Sequence, residues 1–165
     1  MSQSINEKVK SKINEDLSPT RNLTGLHLKI VASIAIIWSL FQLWYASPFP
    51  FMFNFGMFKG LPARAIHLGF ALTLAFLIYP ISKGKKISII DVIISFVGAF
   101  SCLYIYFFYD QLVDRGGVLL NISINENYNL PVELIIGSCG ILILLEATRR
   151  AIGLPLVIIA ICFLL

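Results

Sequence analysis

Two basic side chains, Arg64 and His67, stand three positions apart in the segment ARAIHLGF. On a helix this spacing places both residues on one face. One interpretation is that Arg64 extends along the helix to a lipid phosphate. The other is that the pair docks a molecule outside the membrane. Both interpretations stay open at this level, and Arg64 and His67 are the candidate residues for contact with an outer partner.

A second charged group occurs in the segment LEATRRAIGLPL, which runs from Leu145 to Leu156. Glu146 stands three and four positions before Arg149 and Arg150, so ion pairs are expected along a continuing helix end. Gly153 and then Pro155 are typical of one helix ending and the next beginning. These residues predict a tight, charge-anchored hairpin, and we assign Glu146, Arg149 and Arg150 to topology and to this junction.

Two acids lie where apolar segments begin. Asp91 falls three residues after Ser88, which fits a capping box at a helix start. Glu133 follows Pro131 by two residues, in a first turn where proline is tolerated and an acid suits the helix dipole. We predict capping roles for both acids.

No residue pattern points to catalysis or to a bound cofactor. The three cysteines, Cys102, Cys139 and Cys162, each stand alone in an apolar run, with no CxxC spacing and no neighbouring histidine. Metal and redox sites need paired ligands, and the sequence has no phosphate-binding glycine loop or Ser–His–Asp set. We therefore predict that the protein is not an enzyme, with no metal and no cofactor.

The composition indicates an integral membrane protein. Apolar residues make up 58% of the chain, charged residues 13%, and the mean hydropathy is +0.84. Soluble domains have about 45–50% apolar and about 25% charged residues. The net charge of +4 does not indicate nucleic-acid binding, because the basic residues lie at the ends of apolar runs.

The apolar runs predict membrane helices. Unpaired backbone groups are too costly in hydrocarbon for other open structures, and the runs lack the alternating polarity of barrel strands. The predicted fold class is therefore an all-α membrane bundle with four transmembrane helices and the start of a fifth. The predicted spans are about Leu28–Ala46, Leu61–Ile81, Ile87–Tyr109 and Leu130–Leu145, with a fifth run from Leu154.

Three regions follow from these spans. Residues 1–24 form a polar N-terminal segment in which Ile5, Val9, Ile13 and Leu17 recur every four positions. This spacing predicts an amphipathic helix on the membrane surface, with a disordered tail as the alternative. Residues 25–147 form the four-helix membrane module, and residues 148–165 form the junction and the start of the next helix.

The distribution of lysine and arginine predicts the orientation. With the N-terminus in the cytoplasm, ten of these residues lie inside and only Lys59, Arg64 and Arg115 lie outside. This is a clear positive-inside bias. The segment SPFPFMFNFGMF, residues 47–58, then lies on the outer side, where its phenylalanines must be buried in the interface or against a partner.

Two strings carry a resemblance to a known family. LEATRRAIGLPLVIIAICFLL resembles the junction in fused permeases of the tripartite ATP-independent periplasmic (TRAP) transporters, of the TAXI type. ARAIHLGFALTLAFLIYP, residues 63–80, is similar to the second helix of the same permeases. The resemblance covers most of the chain from about residue 25 onward.

The resemblance implies a secondary transporter that takes up small organic solutes across the inner membrane of a cell. Its implied partners are the large permease module, an extracytoplasmic solute-binding protein and the lipid bilayer. In the family, a small four-helix module is a scaffold, whereas the large module holds the substrate and ion sites. We therefore expect this chain to be a scaffold that does not transport alone.

The end of the sequence departs from the family pattern. From Leu154 to Leu165 there are twelve residues, about 18 Å of helix against a hydrocarbon core of about 30 Å. We expect this last helix not to cross fully and the chain to be cut just past the junction. The alternative function is an independent small membrane scaffold or assembly protein of another complex.

Overall fold

The structure is a computed structural model of the 165-residue chain. It describes residues 20–21, 23–81, 88–116, 118, 121–125 and 128–164. The predicted amphipathic helix of residues 1–24 lies almost entirely outside these described residues. Three lysines of the positive-inside count, Lys83, Lys85 and Lys86, lie outside them too.

Helices dominate the described part of the chain. Their bounds are α1 Leu26–Ala46, α2 Phe49–Phe53, α3 Gly60–Ile78, α4 Ile89–Asp114, α5 Val132–Ala151 and α6 Leu154–Leu164. The predicted helical class is therefore confirmed for the described residues.

Three of these helices, α1, α3 and α4, are long and apolar enough to cross a membrane. Helix α5 is similar in length to α1 and α3, at 20 residues or about 30 Å. It carries Glu133, Glu146, Arg149 and Arg150, however, and these charges leave only its middle uncharged. Three spans are therefore identified by length and composition among the described residues.

Proline and glycine explain most helix ends. Helix α1 stops at Ser47, before Pro48, because a residue preceding proline is disfavoured in helical conformation. Helix α3 ends at Ile78, with Tyr79 as its C-cap before Pro80, three residues earlier than the predicted Ile81. Gly153, with φ of 110°, separates α5 from α6, as the sequence predicts.

Residues 121–125 and 128–131 form a short pair of strands, which the prediction of an all-α chain did not include. Strand β1 (Asn121–Asn125) pairs antiparallel with β2 (Tyr128–Pro131), and Ile122 stands opposite Leu130. The predicted fourth span began at Leu130, but that residue is in the strand and α5 begins at Val132. Pro131 explains this boundary, because proline favours a first helical turn over a helix interior.

Helix α3 lies at the centre of the helical packing, in contact with α1, α4 and α5. One core cluster contains Leu72, Phe76, Cys102 and Ala147, which come from α3, α4 and α5. A second cluster joins α3 to α1 through Val31, Leu74 and Leu77.

Gly98 lies where three helices approach closely. A Cβ atom at this position would stand 2.9 Å from Ile143 Cγ2 and 3.4 Å from Leu72 Cδ1. A small residue at such a point permits close helix packing.

The helix ends form two groups. The end of α3, the start of α4 and the end of α5 meet at what we call the charged end, where Arg21 and Arg150 reach the last carbonyls of α3. The end of α1, the start of α3, the end of α4 and the start of α5 meet at the aromatic end. Aromatic pairs there include Phe41 with Phe58 and Phe58 with Tyr106.

Candidate functional site

The charged end holds an ion-pair network of five residues, which we call the ionic cluster: Arg21, Asp91, Glu146, Arg149 and Arg150. At its centre is Asp91, whose side chain has no solvent exposure. Asp91 Oδ2 accepts a hydrogen bond of 2.6 Å from Arg21 Nη2, and Oδ1 accepts one of 2.7 Å from Arg150 Nη1. Each carboxylate oxygen thus has its own arginine.

The ionic cluster follows from the direction of the helices that meet there. Asp91 lies in the first turn of α4, where the helix dipole favours a negative charge. Arg149 and Arg150 lie in the last turn of α5, where it favours positive charge. Because these two helix ends adjoin, charges suited to their own dipoles also suit each other.

Arg21 ties the segment before α1 to the end of α3. Its backbone N–H donates to Ile78 O at 2.8 Å, and Nη1 donates to Leu77 O at 3.3 Å. The last four carbonyls of a helix have no partner within that helix. Arg21 therefore satisfies two of them while it neutralises Asp91.

Glu146 makes both of the ion pairs that its spacing predicts. Arg149 donates to its two oxygens through Nε at 2.7 Å and Nη2 at 2.8 Å, and Arg150 Nε donates to Oε1 at 2.7 Å. Glu146 lies beyond the apolar stretch of α5. The hydrogen bonds from Arg149, with a further one from Arg150, lower the pKa of Glu146 from 4.5 to about 2, although partial burial opposes this shift.

The two adjacent arginines have different surroundings. The Arg149 side chain is 43% exposed and pairs with Glu146 only, whereas that of Arg150 is 3% exposed. Arg150 also lies over the ring of Phe76, with Cζ 4.9 Å from the ring centroid, and donates to Tyr79 O at 3.4 Å. Arg150 therefore links α5 to both α3 and α4, which the sequence did not predict.

The ionic cluster is an arrangement that holds helix ends together through ion pairs. Three arginines and two acids leave a formal charge of +1 (3 − 2), and every charged side chain is engaged with another. Among the described residues, Arg21 Nε and Arg150 Nη2 are buried polar atoms with no hydrogen-bond partner. These N–H groups belong to guanidinium groups that already bond elsewhere.

The capping prediction for Asp91 was wrong. Ser88 is the N-cap residue of α4, but it makes no side-chain cap hydrogen bond, and the Asp91 carboxylate is used by the two arginines. Sequence spacing could not show these pairs, since Arg21 and Arg150 lie 70 and 59 residues from Asp91. An acid just inside an apolar run, together with an arginine just before another run, is the signal that points to such a pair.

Arg64 and His67 lie at the aromatic end, away from the ionic cluster. They line a groove of 470 Å³ between the end of α1 and the start of α3. His67 Nδ1 lies 2.8 Å from Gln42 Nε2, and its ring meets Trp38 edge-on at a centroid distance of 5.0 Å. The predicted pair therefore shares one groove, which the sequence did not show.

Two further ion pairs lie at the aromatic end, outside this groove. Lys59 pairs with Asp110, which raises the pKa of the lysine through their hydrogen bond. Arg115 Nη2 donates to Glu133 Oε1 at 2.7 Å, and Tyr104 donates to the same oxygen at 3.3 Å. Glu133 lies in the first turn of α5, as predicted, and in addition joins α5 to the end of α4.

No metal-ligand group is evident within the described ranges, where no three His, Cys, Asp or Glu side chains come together. The cysteines are free, with Cys102 buried, Cys139 half-buried and Cys162 exposed. The absence of a cofactor stays a prediction.

Comparison of the chain with protein-family models, with curated proteins and with solved structures finds no match. The resemblance to TRAP permeases therefore rests on the two sequence strings, and the function that it implies stays a prediction.

Proposed function

We propose that this chain is a membrane component of a TRAP-type secondary transporter for small organic solutes, in which it acts as a scaffold and does not transport alone. The observation that carries the proposal is the position of the ionic cluster. The cluster fixes the segment LEATRR at the end of α5, which carries part of the family resemblance, against the ends of α3 and α4.

A scaffold must keep its shape while the transport module moves, and the ionic cluster supports that role. Asp91 is bound from two directions by residues of distant segments. Removal of one partner from a buried ion pair typically costs about 3–5 kcal/mol. The helix ends at the charged end are therefore expected to stay together.

The proposal includes α5 as a fourth membrane span. The helix has 20 residues and is about 30 Å long. We place its ion-paired Glu133 and Glu146 in the headgroup regions, so that the apolar stretch between them crosses the membrane. Alternating spans then place the N-terminus and the charged end in the cytoplasm, as the positive-inside bias predicts.

The exposed apolar side chains of α5 and α6 support contact with lipid or with another membrane protein. Leu142, Ile158, Ile159 and Phe163, on α5 and α6, are all about half exposed or more. In the proposal, this surface faces the large permease module and lipid. The solute-binding protein would dock at the aromatic end, where Phe51, Phe53 and Phe55 of the segment 47–58 are largely exposed.

Uptake measurements in the source cell test the proposal. Deletion of the coding sequence should abolish ion-gradient-driven accumulation of one solute in a panel of radiolabelled small organic acids. Re-expression of the intact gene should restore uptake, and an ionophore should abolish it again. A deletion strain with unchanged uptake of every solute in the panel would count against the transporter proposal.

The tagged chain, purified from its own membranes in mild detergent, tests the scaffold role. The transporter proposal expects a large polytopic permease module, as the same polypeptide or as a bound one, and a solute-binding protein after chemical cross-linking. Recovery of subunits of a different membrane complex would support the alternative, an independent scaffold or assembly protein.

A further inference from the structure

The groove that contains Arg64 and His67 has the size and lining of a ligand site. Its volume is 470 Å³, within the range of about 300–1,000 Å³ that is usual for small-molecule sites. Helix α1 contributes Phe41, Gln42 and Tyr45 to its walls, and α3 contributes Ala63, Arg64 and His67. The lining thus combines aromatic rings with a cation and two hydrogen-bonding side chains.

Among the lysine and arginine residues that the structure describes at this end, Arg64 is the one without an ion pair. Lys59 is paired with Asp110 and Arg115 with Glu133. Arg64 is exposed, and within the described part of the chain it makes no ion pair. The groove therefore offers a positive charge to an anion that the protein itself does not supply.

Gln42 and His67 add hydrogen-bonding capacity next to this charge. The 2.8 Å contact joins Gln42 Nε2 to His67 Nδ1. When the Gln42 amide donates to His67 Nδ1, a neutral His67 ring carries its proton on its Nε2 atom. This ring N–H can then donate to a ligand. An acceptor with several oxygens, such as a phosphodiester, suits a guanidinium with a nearby N–H donor.

The depth of the groove favours a lipid over a soluble partner. Helix α3 has 19 residues, about 28 Å, so it covers most of the hydrocarbon core. Arg64 and His67 stand four and seven residues after Gly60, about 6 Å and 10 Å along the helix. Side chains on a helix lean toward its N-terminus, so Arg64 can reach the phosphate layer from this depth. A carboxylate of a soluble protein would have to enter the membrane.

We propose that this groove binds the phosphodiester of one phospholipid headgroup. Arg64 supplies the charge partner, Gln42 and His67 bond headgroup or glycerol oxygens, and the rings of Phe41 and Tyr45 flank the start of the acyl chains. The inference rests on the membrane position of α1 and α3. It does not depend on transport, nor on which side of the membrane the aromatic end faces.

Native mass spectrometry of the purified, delipidated full chain tests the site, with dioleoyl phosphatidylglycerol as the probe. The variants are Arg64→Gln and the matched control Lys59→Gln, which removes the same charge from the same end. We expect Arg64→Gln to raise the lipid Kd by about tenfold, the effect of one lost charge-assisted hydrogen bond. Lys59→Gln should change it less than about twofold, as expected for an exposed charge outside the groove.

Two additions make the result decisive. Gln42→Leu keeps the charge of the protein but removes a groove amide, and it should also weaken lipid binding, by about threefold or more. Inorganic phosphate at millimolar concentration should not displace the lipid, since it lacks the acyl chains.

Three results would overturn the lipid site. Equal losses of lipid affinity in Arg64→Gln and Lys59→Gln would show that binding depends on surface charge alone. Displacement of the lipid by inorganic phosphate would assign the groove to a free anion. Unchanged lipid affinity in Arg64→Gln would show that the lipid binds elsewhere, and loss of cross-linking to the solute-binding protein in the same variant would assign Arg64 to the outer partner.

Discussion

At the residue scale, two arginines that are neighbours in the chain have different surroundings in the ionic cluster. Arg150 is enclosed by α3, α4 and α5, whereas Arg149 lies at the surface. Burial determines how much each ion pair contributes to the free energy of folding. An exposed pair contributes little because solvent screens it. A buried pair is costly to break because the remaining charge is left without a partner.

We therefore expect Arg150→Gln to lower the free energy of unfolding by about 3–5 kcal/mol. Arg149→Gln, the matched control, should lower it by about 1 kcal/mol or less. SDS titration of the purified chain, followed by circular dichroism, measures both values. Equal effects of the two substitutions would contradict the assigned role of Arg150.

Glu146 predicts a dependence of stability on pH. Its pKa is about 2 in the folded protein and 4.5 ordinarily, chiefly because of the hydrogen bonds from Arg149. A lowered pKa contributes stability that is complete above the ordinary value and is lost as pH falls toward the folded value.

The chain should therefore lose stability between about pH 4.5 and pH 2, and Glu146→Gln should lose less over that range. The same SDS titration at pH 5, 4, 3 and 2 compares the two proteins. Asp91 is present in both, so only the difference between the two slopes reports Glu146. Parallel slopes would show that the pairs of Glu146 are not formed in solution.

At the element scale, α3 organises the helices around it. Hydropathy predicted where the long helices and α6 begin to within two residues, but not where α3, α4 and α5 end. The last residue of α1, Ala46, and the first residue of α6, Leu154, were both predicted correctly. Helix α4 continues to Asp114, beyond the predicted Tyr109, because polar residues continue the helix after the apolar run has ended. Strands β1 and β2 were not predicted, although residues 121–125 alternate between polar and apolar side chains, because this alternation is short beside the long apolar runs.

The ionic cluster could not be predicted in the same way. Helical spacing predicted the ion pairs of Glu146 with Arg149 and Arg150, because those contacts are local in the sequence. The pairs of Asp91 depend on which helix ends meet in space, and one sequence does not contain that information. The groove of Arg64 and His67 likewise needs Gln42, which lies 25 residues before His67 on another helix.

The contact of α4 with α3 and α5 depends on Gly98. We expect Gly98→Leu to lower the free energy of unfolding by about 1–3 kcal/mol or more, since the added atoms meet Ile143 and Leu72. Gly137→Leu is the matched control, because a Cβ at Gly137 meets no atom within 4 Å. Comparable destabilisation by the two leucines would argue against the close helix approach at Gly98.

At the scale of the whole molecule, the two ends differ in chemistry. The charged end is closed by buried ion pairs, whereas the aromatic end presents exposed phenylalanines and the groove with Arg64. Such a division suits a membrane protein whose ends meet different surroundings. The proposed orientation, with the charged end in the cytoplasm, makes a direct prediction.

In a background with Cys102, Cys139 and Cys162 replaced by alanine, single cysteines report the two ends. We expect a membrane-impermeant maleimide to label the Lys59→Cys variant in intact cells. The Ile152→Cys variant should be labelled only after the inner membrane is permeabilised, although Ile152 is exposed in the structure. The reverse pattern would invert the orientation, and labelling of both in intact cells would contradict the four-span topology.

The contacts of Asp91 also set an order of events during synthesis. In the proposed topology, Arg21 is made before Asp91, so it is available to neutralise the acid as α4 enters the bilayer. Arg150 emerges 59 residues later, a delay of about 3–12 s at about 5–20 residues per second. The nascent chain thus inserts its acid with one counter-charge already in place, and the second arrives with α5 to complete the assembly.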